Sequence, residues 1–372
     1  MVVLSLELNH VFGFNDFKMN FSYPRKLNTN IIENEHLNEF TSFRYKKLNV
    51  IFGANATGKT SLIKTIWYLA VFLNQKNPEY IRKMINFNYS ESTINFDFVD
   101  SNKFYRVKIK TNNVHDDAEI VMAFKSKSLN KNDSYEKLKI VFDSYEYEFK
   151  NCIDVLQTIT LSGGWNAILP ATEGEFNSIN FIQTTSKDEE SDYVNILYSV
   201  LSTLDPSISN IYPSKDSNDA YVIEHEAGKI IVQQGNKLSG IPLLSSGTKY
   251  GINIANMLYS IKYHLNGIYL IDEQFSYLNS DVEAAILSTM VSLLGPNEQL
   301  FFTTHNAEIL NLSFPFHSYY FIRKERNKSG SQYTINCASD FENRNNVSVK
   351  NIFDNDVFNT SPNIEKIYKV GE

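Results

Sequence analysis

Apolar and polar residues alternate with a period of two along three stretches of the chain. Ile94, Phe96 and Phe98 alternate with Asn95 and Asp97, and Tyr105, Val107 and Ile109 with Arg106, Lys108 and Lys110. Tyr145, Tyr147 and Phe149 alternate with Glu146 and Glu148. Successive side chains of a strand point to opposite faces, so the pattern predicts an antiparallel sheet with one apolar and one wet face. Residues 1–23 read as two more strands around Gly13, followed by an Asn- and Glu-rich excursion over 24–45. Tyr221–Glu224 and Lys229–Gln233 flank Ala227-Gly228 and predict a hairpin.

Elsewhere the apolar positions run together. Leu48–Phe52 is short and β-branched or aromatic, as a buried strand is, whereas Ser61–Leu73 is too long for a strand and predicts a largely buried helix. Val194, Leu197, Tyr198 and Leu201 are spaced for a helix, and the acids of Asp188-Glu189-Glu190-Ser191-Asp192 suit its positive end. Ile268–Ile271 and Gln299–Thr304 predict two further buried strands, with a helix over Gly251–Tyr263 before them. Five lysines lie among Ser and Asn between Lys125 and Lys139, a composition that predicts a solvated loop. Neither sustained heptads nor repeats occur, so no long coiled-coil arm is expected.

Gly53–Thr60 reads G-A-N-A-T-G-K-T, matching the phosphate-binding pattern G-x-x-x-x-G-K-[ST]. Glycines let the backbone curl tightly against phosphate, and the strand–loop–helix context aims a helix N-terminus at it. The expected phosphate contacts are Gly53, Asn55, Ala56, Thr57, Gly58, Lys59, Thr60 and Ser61. Lys59 would reach the terminal phosphates, and the Thr60 hydroxyl would ligate Mg²⁺. An apolar strand ending in Asp272-Glu273 supplies the complementary acids: Asp272 for the metal and Glu273 to activate a water. His305 ends the following strand and is the candidate contact to the γ-phosphate.

The 372 residues are 42% hydrophobic and 21% charged, with 26 Phe and 22 Tyr, which is a folded globular composition. Three regions are expected: 1–150 with the phosphate loop and antiparallel sheet, a mixed insertion over 151–240, and 241–372 with the acids and His305. The net charge of −7 lacks the basic footprint of a dedicated nucleic-acid binder, while a local patch leaves nucleic acid open as a partner. Cys152 and Cys337 are isolated, no run is apolar enough to span a bilayer, and the first residues read as a strand rather than a signal peptide. A soluble, cytoplasmic protein is expected.

Two segments compete as the second phosphate contact. Leu161-Ser162-Gly163-Gly164 looks most like the signature L-S-G-G-Q, but Leu244-Ser245-Ser246-Gly247-Thr248 lies one helix and a turn ahead of Asp272. Position favours Ser245, Ser246 and Gly247. The ordered set resembles the ABC-type ATPases, in the branch with SMC-like and overcoming-lysogenisation-defect-type proteins. Within it, Leu270-Ile271-Asp272-Glu273, Phe302-Thr303-Thr304-His305-Asn306 and Leu201-Ser202-Thr203-Leu204-Asp205-Pro206 are similar to prokaryotic AAA-type proteins of abortive infection and anti-phage defence.

That resemblance covers residues 1 to about 85 and 193 to 345. It implies an α/β P-loop NTPase, with an ABC-type two-lobed head, an antiparallel β subdomain and a helical or mixed insertion. It implies ATP and Mg²⁺, and a head-to-tail homodimer with ATP clamped between Gly53–Thr60 of one copy and Ser245–Gly247 of the other. It further implies a switch or scaffold for an effector such as a nuclease; an SMC-like DNA-repair or chromosome ATPase is the alternative. Ser276-Tyr277-Leu278-Asn279 resembles the family's S-A-L-D loop with Asn279 in place of the acid, and no glutamine lies between Gln75 and Gln157, where the family has one.

Overall fold

The computed structural model describes residues 1–24, 32–113, 118–169, 180–217, 220–235, 246–273, 275, 278–327, 330–341, 348–358 and 368. In chain order these form β1 (Val2–Asn9), β2 (Phe17–Asn20), the short pair β3 (His36–Leu37) and β4 (Phe40–Arg44), and β5 (Leu48–Phe52). Helices α1 (Lys59–Gln75) and α2 (Glu79–Arg82) lead to the long strands β6 (Glu91–Asp100), β7 (Lys103–Asn112) and β8 (Glu119–Ser128). Next come α3 (Tyr135–Asp143), β9 (Lys150–Asn151), α4 (Cys152–Gln157), β10 (Trp165–Ile168) and α5 (Lys187–Leu204). Strands β11 (Ile208–Pro213), β12 (Ala220–His225) and β13 (Gly228–Gln233) precede α6 (Ser246–Lys262) and β14 (Ile268–Asp272). The chain closes with α7 (Ser280–Leu293), β15 (Gln299–Thr304), β16 (Tyr319–Asn327), β17 (Gly330–Cys337) and α8 (Val349–Asp354).

The alternating residues of β6 and β7 are cross-strand partners. Ile94 faces Ile109, Phe96 faces Val107, and Phe98 faces Tyr105 with rings stacked 5.0 Å apart. They lie in a six-stranded sheet of order β2-β1-β6-β7-β8-β9. A second six-stranded sheet has order β10-β14-β15-β5-β16-β17, parallel except at its last pair. Helix α1 fills the space between them: Ile63, Ile66, Leu69 and Phe72 pack in one core with Leu6, Phe96 and Val107 on one side and Ile51, Leu270 and Phe301 on the other. The opposite face of the parallel sheet carries Val50, Phe52, Ile271 and Phe302, covered by α5, α6, α7 and the hairpin strands β12 and β13.

Two sequence expectations are corrected. Residues 145–149 form no strand; the third long strand is β8, whose Met122 and Phe124 face Ile109 and Val107. The period of two there has another cause. Tyr147, Phe149 and Tyr145 place their rings beneath Lys108, Lys110 and Lys125 at 4.1, 4.7 and 4.6 Å, while Glu146 and Glu148 alternate between them. Cation–π contacts thus hold an extended strap on the sheet's outer face.

The lysine-rich segment 125–139 is likewise not a loop throughout. It spans the end of β8 and the start of α3, and α3 packs on the face expected to be wet. Val99, Phe104, Tyr135, Leu138 and Phe142 form a small core there. Beside it Arg106 grips Asp97 through Nε and Nη2 at 2.8 and 2.7 Å, and Tyr135 donates to the same carboxylate at 2.9 Å.

One buried side chain ties the sheets together. Gln299, at the start of β15, accepts from the Val3 amide at 2.6 Å and donates to the Val3 and Lys46 carbonyls at 2.9 and 3.1 Å. Gln299→Leu would strand these backbone groups without water, so it should destabilise the protein by roughly 2–4 kcal/mol. Urea unfolding would register this as a lower midpoint at unchanged slope; an unchanged midpoint would show that the sheets do not depend on the amide.

Candidate functional site

Strands β14, β15 and β5 lie side by side and end together. The register pairs Asp272 with Thr303, and Thr303 and Thr304 with Ile51 and Phe52. The acids, the threonines and the start of the phosphate loop therefore share one sheet edge, where ligands of open α/β sheets sit.

The loop after β5 is shaped by close approach. A Cβ at Gly53 would meet the Ile322 carbonyl and the Thr57 hydroxyl at 2.6 Å. Gly58 sits at φ 99, caps α1 and accepts from the Leu62 amide. Its α-carbon faces the rings of Phe14 and Tyr333, so a side chain is excluded by backbone and by packing. Ala56 takes φ 61 and Glu273 takes φ 47, left-handed values that non-glycine residues hold only against strain, and such strain clusters at functional sites.

Lys59 is 3% exposed. Its ammonium donates to the Gly53 and Ala54 carbonyls at 2.5 and 3.0 Å and pairs with Glu273 Oε1 at 2.8 Å. The sequence-predicted base and the phosphate lysine thus touch. Asp272 is fully buried; it accepts from Thr303 Oγ1 at 2.6 Å and is hydrogen-bonded by the Thr60 hydroxyl. Thr303 Oγ1 also accepts from the Glu273 amide at 3.1 Å. A hydroxyl and a carboxylate already in contact are the donor set that magnesium takes in phosphate-loop sites, so Thr60 and Asp272 fit that ion.

The resulting cleft, of 380 Å³, is lined by Asn55–Ser61, Glu273, His305 and Tyr333. His305 is exposed on its rim. A second cleft of 340 Å³ shares Glu273 and His305 and adds Ser280, Glu283 and Asn306. Ser245 lies outside the described residues, while Ser246 and Gly247 begin α6. Among the described residues lining the phosphate-loop cleft, none comes from α6 and none is glutamine.

The competing L-S-G-G segment is used elsewhere. The Ser162 and Gly163 amides donate to the Asp100 carboxylate at 2.9 and 3.0 Å. Of the loop resembling S-A-L-D, Ser276 and Tyr277 lie outside the described residues, and Asn279 caps α7 by accepting from the Asp281 amide. Phe14 is core, and Phe12 stacks on Tyr68.

Sequence reasoning did not single out Thr303, Tyr333, Glu283 or Asn306. Thr303 was legible as the residue two before His305, but no local pattern marks Tyr333 or Glu283, which reach the site only through the fold.

These elements define a P-loop ATPase head with mixed α/β sheets, of the kind found in SMC proteins. The chain belongs to the AAA domain family, whose model matches residues 5–232, more than half of its length. It is similar to the SmcHead bound to the C-winged helix domain of ScpA, at 11% identity and TM-score 0.51 over 92% of this chain and 100% of that one. At such identity the likeness is one of fold. Lower scores are found for the SMC head domain from Thermotoga maritima (12% identity, TM-score 0.41, 90% and 98% covered). The same holds for an Smc head domain with an extended coiled coil, bound to the C-terminal domain of ScpA derived from Pyrococcus furiosus (11%, 0.47, 91% and 97%). Comparison with curated proteins gives no match. Among the described residues no helix is long and apolar enough to cross a membrane.

Burial pushes the Asp272 carboxyl above the ordinary carboxylate range, against the lowering effect of the Thr303 and Thr60 hydroxyls. With the folded value above the unfolded one, the native chain binds the extra proton. Stability from this group is present at low pH and lost as pH rises through the raised value. Asp272→Asn should therefore melt above wild type near neutral pH in magnesium- and nucleotide-free buffer, with the gap closing towards about pH 4. A wild type that melts higher near neutrality would contradict the assignment.

Proposed function

We propose that the protein is an ATP-hydrolysing switch whose ATP-dependent dimerisation assembles or releases an effector. The observation that carries this reading is the meeting of Lys59, Glu273, Thr60 and Asp272 in one strained cleft at the parallel sheet edge. Lys59, now folded back onto Glu273 and two carbonyls, would turn to the terminal phosphates. The amides at the start of α1 would bind the phosphates. Thr60 and Asp272 would hold magnesium, which supplies charge neutralisation on the phosphates when bound. Glu273, released from Lys59, would take a proton from the attacking water, and His305 would contact the γ-phosphate from the cleft rim.

Gly53, Asn55, Ala56, Thr57, Gly58 and Ser61 complete the phosphate contacts in this reading. Ser245, Ser246 and Gly247 act on the ATP of a second copy in this reading, as the resemblance to ABC-type ATPases implies. The cellular role follows from the resemblance to abortive-infection proteins: a cytoplasmic scaffold for an effector such as a nuclease.

A second reading, an SMC-like ATPase of chromosome or repair function, is favoured by the likeness to SMC heads. Among the described residues, however, the longest helix is the 18-residue α5, far short of an SMC arm. DNA binding that strengthens with ATP would favour the second reading, and ATP-dependent co-purification of an effector the first.

The core of the proposal is tested with Glu273→Gln. ATP turnover should fall by about a hundredfold or more relative to wild type, and light scattering should show dimers accumulating with ATP. Equal turnover in the two proteins would remove Glu273 as the base.

A further inference from the structure

Glu283 lies in the first turn of α7 and is 3% exposed, yet Lys59, the cation of the adjoining cleft, pairs with Glu273 rather than with it. Both of its oxygens are nevertheless occupied. Oε1 accepts from the Thr304 hydroxyl at 2.9 Å, and Oε2 from the Asn306 side-chain amide at 2.7 Å. Thr304 Oγ1 also accepts from the Asn306 backbone amide at 3.0 Å, and Asn306 Oδ1 caps the short helical turn Ala307–Asn311 by accepting from Glu308. The carboxylate thus clamps the residue on each side of His305.

Stability alone does not explain an acid here. Phe275, Leu287 and Phe302 belong to the same core, and an apolar side chain of similar size would avoid the desolvation cost of a buried carboxylate. A buried acid held by two hydrogen-bond donors can instead select one arrangement among several. The arrangement selected here is the path of residues 304–306, which sets where the His305 imidazole stands at the rim shared by the two clefts.

We propose that Glu283 is a positioning residue for hydrolysis, acting through Thr304 and Asn306 to fix His305 at the phosphate-loop cleft. This rests on the roles given above to Glu273 and His305. Its effect belongs in kcat, because the phosphate loop that binds ATP is untouched.

The test is steady-state ATP turnover of wild type, Glu273→Gln, Glu283→Gln, Asn306→Asp and the double variant Glu283→Gln/Asn306→Asp, each with its unfolding midpoint. Glu283→Gln sets two amides against each other, and Asn306→Asp two carboxylates. Each should lower kcat about tenfold with KM for ATP within about twofold. In the double variant an amide again faces a carboxylate with donor and acceptor exchanged, and most of the kcat should return. Should Glu283→Gln fail to fold, Asn306→Ser keeps the cap on Glu308 while dropping the bond to Glu283, and should show the same loss.

Wild-type kcat in Glu283→Gln, or a double variant no faster than the singles, overturns the positioning role while leaving Glu273 intact. Equal turnover in wild type and Glu273→Gln overturns the hydrolytic reading, and this proposal with it.

Discussion

Everything at the candidate site depends on the register of three parallel strands. Pairing β14, β15 and β5 so that Asp272 lies opposite Thr303, and Thr304 opposite Phe52, brings together residues more than 200 positions apart in the chain. A parallel strand buried on both faces cannot slip by one residue without exchanging its two sets of side chains between the cores that each set fits. The alternation of Val50 and Phe52 against Ile51, and of Ile271 against Leu270, locks each strand to a different core on each face. The geometry of the acids and the phosphate loop is thus a by-product of core packing, and this is why the chemistry can be carried by short, strained turns.

Within that frame the cleft satisfies its own charges. Lys59 is held by Glu273 and by loop carbonyls, and Asp272 by two hydroxyls. A buried ammonium or carboxylate left unpaired would be costly, so the groups that would serve the nucleotide serve one another first. Phosphates entering the cleft would offer Lys59 stronger acceptors than carbonyls and set Glu273 free. If Glu273 is the base, as proposed, the motion that binds the substrate would also expose it and would couple the onset of hydrolysis to correct seating of the phosphates.

Legibility in the sequence followed the range of the interactions. Gly53–Thr60, the strand before it and the helix after it are local, and each was readable, as were Asp272 and Glu273 at the end of an apolar run. His305 needed only the further assumption of adjacent strands. The strap at 145–149 misled because alternating aromatics are what a strand would show; the rings instead sit on lysines of β7 and β8, a pairing with no local signature. The α3 cover over β6 and β7 was missed for the same reason, since Leu138 and Phe142 signal only a weak amphipathic turn until Phe104 is placed beneath them. Glu283 and Tyr333 reach the clefts through tertiary packing alone.

The balance of charge in the cleft bears on whether one chain suffices. Among the described residues, its charged lining pairs one cation, Lys59, with Glu273, with His305 at the rim, and the buried Asp272 adds a further acid nearby. A triphosphate brought there adds several negative charges, and the start of α1 offers only partial positive charge in return. Magnesium offsets part of the remainder, and a second helix N-terminus would offset more. In the proposed reading that second terminus is the start of α6, at Ser246 and Gly247, of another copy. A site completed from outside the chain would meet that need, and association would then be a consequence of binding the nucleotide rather than a separate property of the surface.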